Sequence, residues 1–175
     1  LAQIIRNTTE LNESTPAITR VKGDGPQPVS IVQEHVLRIE RELPVLPQFN
    51  VPFAYRLQGP LNISALERSL VELVRRHDSL RTGFSWVDDR PVAIIAQDAD
   101  IGSSFVLEDL ARGAPTRNDR AKRLLLKKAR LIAEQEALTP FDMECAPLFR
   151  ARLLRLDNED HVLLLILNHI IFDGW

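Results

Sequence analysis

The sequence predicts an α/β fold in which helices pack on a mixed open sheet, and three observations carry that expectation. Stretches with the period of an amphipathic helix alternate along the chain with shorter stretches whose apolar residues alternate or run together, as strands do. Proline and polar clusters separate the two kinds of stretch, and no internal repeat or low-complexity tract interrupts them. Hydrophobic residues make up 45% of 175 residues and charged ones 26%, a balance that supports one domain with a real core.

Residues 1 to 25 stand apart. LAQIIRNTTEL has the look of a helix end, and NESTPAITRVKGDGPQP after it is rich in Pro, Gly, Ser and Thr without apolar periodicity, which is linker composition. Ser30 then opens a helix: with Gln33 three residues on it forms a capping box, and Val32, Val36, Ile39 and Leu43 fall on one face before the prolines at 44 and 47. Phe49, Val51, Phe53, Tyr55 and Leu57 alternate up to Gly59-Pro60, the period of a strand. Ser64 and Glu67 suggest a second capping box for a helix over about 64–79, its inner face made of Leu66, Leu70, Leu73, Val74 and His77. Residues 82–87 and 92–97 flank the polar DDRP and predict a hairpin. FVLEDL reads as a short strand, with ARGAPTRND as a loop after it. From Asp119 to about Leu138 the apolar spacing of Leu124, Leu125, Leu131 and Ile132 predicts the longest helix, stopped by Thr139-Pro140. LFRARLLRL and HVLLLILN, either side of DNED, predict a second hairpin.

Charge and composition exclude several classes of function. The formal net charge is −2 with both signs interleaved, so no field exists to recruit nucleic acid or an anionic membrane. The basic run RAKRLLLKKAR is broken by leucines at helical spacing and reads as a solvated helix face. A single cysteine, Cys145, rules out a disulfide framework and fits a reducing, cytoplasmic setting; its neighbours suggest a buried structural thiol. The apolar run VLLLIL is too short to cross a bilayer. The four histidines show no metal-ligand spacing, and neither a phosphate-binding glycine loop nor a G-x-S-x-G elbow is present, so no metal or directly bound cofactor is expected.

Chemistry concentrates at the end of the last strand. Successive strand side chains face opposite ways, so Asn168 and His169 should point to opposite sides of the sheet, and only one can occupy a given cleft. An imidazole can serve as base or hydrogen-bond partner near neutral pH, which makes His169 the catalytic candidate. Asp173, four residues on and next to Gly174, could orient that imidazole or form a salt bridge that fixes the loop.

NHIIFDGW at 168–175 resembles the H-H-x-x-x-D-G-W signature of condensation domains of nonribosomal peptide synthetases, in the chloramphenicol-acetyltransferase-like superfamily. RHDSLRTGF at 76–84 is similar to that family's R-H-E-x-L-R-T-x-F, with Asp78 for Glu, and PVSIVQEHVL matches S-x-A-Q-x-R-L-W at Ser30 and Gln33. The phrases FNVPFAYRLQGPLNISALERSLVELV and FDMECAPLFRARLLRL carry the likeness from about residue 26 to the end.

The resemblance implies the N-terminal lobe of a two-lobed fold, residues 26–175, with a tunnel between the lobes and the C-terminal lobe on a longer parent. Residues 1–25 would then be an upstream carrier tail with interdomain linker, or a docking segment. It implies amide formation between an acyl or peptidyl thioester on a donor carrier and an amine on an acceptor carrier, both borne on phosphopantetheine arms. His169 would be the catalytic second histidine and Asn168 would stand in the place of the first. Asp173 would pair with an arginine, Arg76, Arg81 or one from the other lobe, buried so that Asp173→Ala costs about 3–5 kcal/mol; Gly174 would allow the turn. Two other readings compete: a coenzyme A-dependent acyltransferase sharing H-x-x-x-D-G, and a noncatalytic carrier-docking or scaffold module, which the Asn168 departure motivates.

Overall fold

A computed structural model describes residues 25–43, 46–97, 105–112 and 119–173. Among them, β1 (Gln27–Pro28), α1 (Ile31–Glu42), β2 (Asn50–Gln58), α2 (Ile63–Arg76), β3 (Thr82–Val87), β4 (Arg90–Ile95), β5 (Phe105–Asp109), α3 (Asp119–Leu138), β6 (Phe149–Asp157) and β7 (Asp160–Asn168) follow in order. Short 3-10 helices at Asp78–Arg81 and His169–Ile171 complete the set. The α/β class agrees with the sequence, but the strands divide into two sheets, ordered β1-β4-β3 and β2-β7-β6-β5. No described helix is long and apolar enough to cross a membrane.

Both expected hairpins form. β3 and β4 meet through Asp88 and Asp89, whose φ angles of 49° and 60° make the two-residue turn that matches strand twist. β6 and β7 pair antiparallel from Phe149↔Leu167 outward, and β7 pairs with β2 from Asn50↔Asn168 to Gln58↔Asp160. β5 runs parallel to β6, which demands a crossover, and α3 supplies it. β7 and β6 are thus interior strands, while β2 forms one outer edge of this sheet.

Apolar side chains cover both faces of the four-stranded sheet. Leu125, Ala129 and Ile132 of α3 pack on Leu154, Leu156, Val162, Leu164 and Ile166. On the opposite face Leu37 of α1, Leu70 and Val74 of α2 and Phe84 of β3 meet Leu148, Phe149, Ala151, Ile170 and Ile171. Burial on both faces explains why β7 reads as a continuous apolar run. At the end of the sheet where β7 finishes, Asn50 Nδ2 bonds the carbonyls of Ala137 and Thr139 at 3.0 and 2.7 Å. Arg150 adds hydrogen bonds to the carbonyls of Glu136, Thr139 and Pro140 and stacks 3.9 Å from the Phe141 ring. The C-terminal carbonyls of α3 are held by side chains from two strands, which fixes this corner.

Several local expectations give way. Ser30 does cap α1 with a reciprocal Gln33 bond, but the buried residues are Leu37 and Glu40, with Val32 73% exposed and Leu43 44% exposed. Val36 still packs on the core, beside Leu37. α2 is capped by Asn62, not Ser64: Asn62 Oδ1 accepts the Ala65 N–H at 2.9 Å. His77 is exposed where α2 ends rather than packed on its inner face, because the helix stops at Arg76. Cys145 is exposed, not buried; Asp142 beside it raises its thiol above the usual range.

Gly83 permits a close approach. A Cβ there would lie 3.0 Å from the Glu144 carbonyl oxygen and 3.3 Å from the Ala146 nitrogen, and the adjacent Phe84 N–H bonds the Met143 carbonyl at 2.7 Å. Backbone cannot swing aside as a side chain can, so Gly83→Ala should lower stability by about 1–3 kcal/mol in chemical denaturation. His161 on β7 is fully buried, and its Nδ1 has no hydrogen-bond partner among the described residues. Burial pushes its imidazole below the usual value, reinforced by Arg155 and opposed by Asp160. The unfolded chain therefore takes up the proton first as pH falls, and stability should decline as pH drops below about 6.5. Replacing His161 with Leu should flatten the unfolding midpoint between about pH 7 and 5 relative to wild type.

Candidate functional site

β7 delivers its last residue, Asn168, into the interior at 1% exposure, while His169 is exposed. The strand's period of two separates these neighbours, and the 3-10 turn His169–Ile171 begins directly after. His169 lines a cleft of about 720 Å³ with Ser30, Val32, Gln33, Val36, Ser79 and residues 170–173. Val32, whose spacing reads as core, is therefore an exposed wall of this cleft, while Val36 lines it and packs on the core as well.

Backbone and side chain grip the turn from several directions. The His169 N–H bonds the Phe49 carbonyl at 2.8 Å and the Asn168 N–H bonds the Leu148 carbonyl at 3.0 Å. Asn168 Oδ1 accepts the Ile170 N–H at 3.0 Å, which caps the 3-10 turn. Gln33 Nε2 donates to the Ile170 carbonyl at 3.4 Å, so the residue that closes the capping box of α1 also ties that helix to the turn. Phe172 packs 5.8 Å from the His169 ring and meets Phe53 of β2 edge-on at 5.9 Å. The imidazole thus stands on a clamped backbone beside an aromatic wall, open to the cleft on its other side.

Behind the turn lies a polar cluster that sequence reasoning missed. Asn168 Nδ2 contacts the Met143 sulfur at 3.7 Å, and the Glu40 carboxyl of α1 is buried nearby. Burial holds that carboxyl above the usual range, and Asn168 nearby opposes the shift. A glutamate on the inner stripe of a helix is the one signal that could have pointed here, since a carboxyl is seldom enclosed without a partner.

The other sequence-predicted residues are spread more widely. Asp173 lines the same cleft as His169 but is exposed, not buried. Arg81 pairs with Asp78 and with the Ala96 carbonyl, and Arg76 is exposed at the end of α2. Gly174 falls outside the described residues. Asn168→Leu keeps the size but removes the acceptor of the Ile170 N–H. It should cost roughly 2 kcal/mol or more, read as a lower denaturation midpoint.

Residues 24–175 match the family described as "Condensation domain". The chain is 35% identical over 164 residues to a linear gramicidin synthase of Brevibacillus parabrevis, covering 94% of this chain and 2% of that protein. Malpibaldin synthetase of Mortierella alpina is 37% identical over 164 residues, again 94% of this chain, with 3% of its own length covered. The fold is similar to the starter condensation domain of rhizomide synthetase RzmA, with TM-score 0.72, 21% identity, and 86% of this chain and 35% of that chain covered. The chain spans only a small part of these synthetases and about a third of that solved domain. With a match over nearly its whole length, standing beside an exposed histidine on a clamped turn, the chain belongs to the condensation domain family.

Proposed function

We propose that this chain is the N-terminal lobe of an amide-forming condensation domain in a nonribosomal peptide synthetase, with residues 1–25 as the preceding linker. The donor is an acyl or peptidyl thioester on an upstream carrier, and the acceptor is an amine on a downstream carrier, each presented on a phosphopantetheine arm. The observation that carries the reading is His169 exposed on a cleft wall while its neighbour Asn168 is sealed inside. The amine nitrogen attacks the thioester carbonyl carbon, the carbonyl electrons move to oxygen, and collapse breaks the C–S bond. His169 hydrogen-bonds the attacking amine and accepts its proton, which ends on the departing thiolate. A C-terminal lobe of the same domain would supply the facing wall of the cleft. The single cysteine and the lack of a bilayer-crossing helix among the described residues support a cytoplasmic setting.

Positioning should outweigh proton transfer. General base catalysis is worth about 10²- to 10⁴-fold, whereas two reactants held in attack geometry reach effective molarities of about 10⁵–10⁸ M. The test is a mass-spectrometric assay of the full-length domain with loaded donor and acceptor carriers. Amide product supports the enzyme; carrier binding without product would mark a scaffold, and turnover of acyl-coenzyme A without carriers would mark a free acyltransferase. In that assay His169→Ala should lose about 10²-fold or more in rate yet retain a residue of product, and wild-type rates would remove His169 from the chemistry.

A further inference from the structure

The backbone bonds at the end of β7 fix where the His169 side chain starts, but not where its ring points. Rotation about the bond to the ring has a broad energy well, and exposed side chains change rotamer within picoseconds to nanoseconds. A histidine that presents one nitrogen to a reactant commonly has the other held by a carbonyl or carboxylate. Here neither ring nitrogen has a hydrogen-bond partner among the described residues, so packing must do the orienting. The aromatic ring against the imidazole is Phe172, with centroids 5.8 Å apart and planes tilted by 42°.

Phe172 is itself braced. Phe53 meets it edge-on at 5.9 Å and 71°, and Tyr55 stacks on Phe53 at 6.3 Å and 7°. Pairs in these two arrangements are attractive and directional, so each ring limits the tilt of the next. Phe53 and Tyr55 are two residues apart on β2 and share one face of it, opposite Leu165 and Leu163 of β7. A row of rings therefore runs from the edge strand, where Tyr55 is 50% exposed, to the imidazole. Of its three members besides His169, Phe172 alone lines the cleft.

We propose that Phe53 is a positioning residue for His169: its ring holds Phe172, and Phe172 confines the imidazole to the orientation that faces the cleft. Phe53 lies off the cleft wall and touches no substrate. The rate arm of this proposal rests on the reading of His169 as the catalytic residue, whereas the orientation arm does not.

The experiment compares wild type, Phe53→Leu and Phe53→Tyr in the full-length domain, by nuclear Overhauser contacts of the His169 ring protons and by the carrier assay. Wild type should show contacts from His169 to Phe172 and from Phe172 to Phe53. In Phe53→Leu the His169 to Phe172 contact should weaken by about twofold or more, as the unbraced rings sample more rotamers. The same variant should lose about tenfold in kcat with KM little changed, since a misdirected catalytic group costs rate rather than binding. Phe53→Tyr keeps the ring and should restore both readouts. Combined with His169→Ala, Phe53→Leu should change the residual rate by less than about twofold, because the group it orients is already gone. An undiminished His169 to Phe172 contact in Phe53→Leu overturns the proposal, as does an equal loss of rate in the His169→Ala background. Should Phe53→Leu fail to fold, wild type decides, and absence of either Overhauser contact there overturns it. An inactive wild type would instead sink the amide-forming reading, with the Overhauser arm still deciding whether Phe53 orients the imidazole.

Discussion

Asn168 closes β7 with its backbone N–H on Leu148 and its side chain on the N–H of Ile170, and this second bond turns the chain out of the sheet. Without it the strand would continue its alternation, and the next residues would have no fixed direction. The bond works because it is dry. An amide cap in water competes with solvent, whereas one enclosed between α1 and the loop at residue 143 has only the partners the fold provides. The exposed histidine, the aromatic packing of Phe172 and the line of the cleft all follow from that one enclosed amide.

The enclosure depends in turn on elements far apart in the chain. β3 comes close enough to the loop around Met143 only because residue 83 lacks a side chain, and the Phe84 to Met143 hydrogen bond seals that approach. On the other side, Asn50 and Arg150 fasten the last turn of α3 to the ends of β2 and β6. The corner at which His169 emerges is consequently held on the sheet side by backbone bonds to Phe49 and Leu148 and by the Asn50 and Arg150 side chains, and on the α1 side by Gln33.

What could be read from the sequence was what local chemistry determines. The Ser30–Gln33 cap, both hairpins, the full span of α3 and the opposite facing of residues 168 and 169 each follow from spacing within a few residues. What could not be read was set by distant partners. The inner face of α1 was hidden because Gln33 bonds Ile170, more than a hundred positions away, and Glu40, polar by composition, is enclosed by the fold. The carbonyl-binding role of Arg150, toward partners 10 to 14 positions back, and the exposure of Cys145 and His77 turned instead on where a loop and two helix ends came to lie. Of the more apolar stripe of α1, Val36 packs on the core as expected while Val32 is an exposed cleft wall, where a pattern of hydrophobicity cannot tell a protein interior from a surface awaiting a substrate or another lobe.

β2 has consequences for how the molecule behaves in company. Among the described residues it pairs with β7 alone, so its other rim faces outward, and Pro52 is its third residue, opposite Ile166. A proline offers no N–H to an arriving strand, and the exposed Arg56 farther along sets a charge on the same strand. A second sheet that tried to zipper onto this rim would lose its ladder partway. The molecule thereby discourages aggregation at the margin of its own sheet, using residues that ask nothing of the reaction.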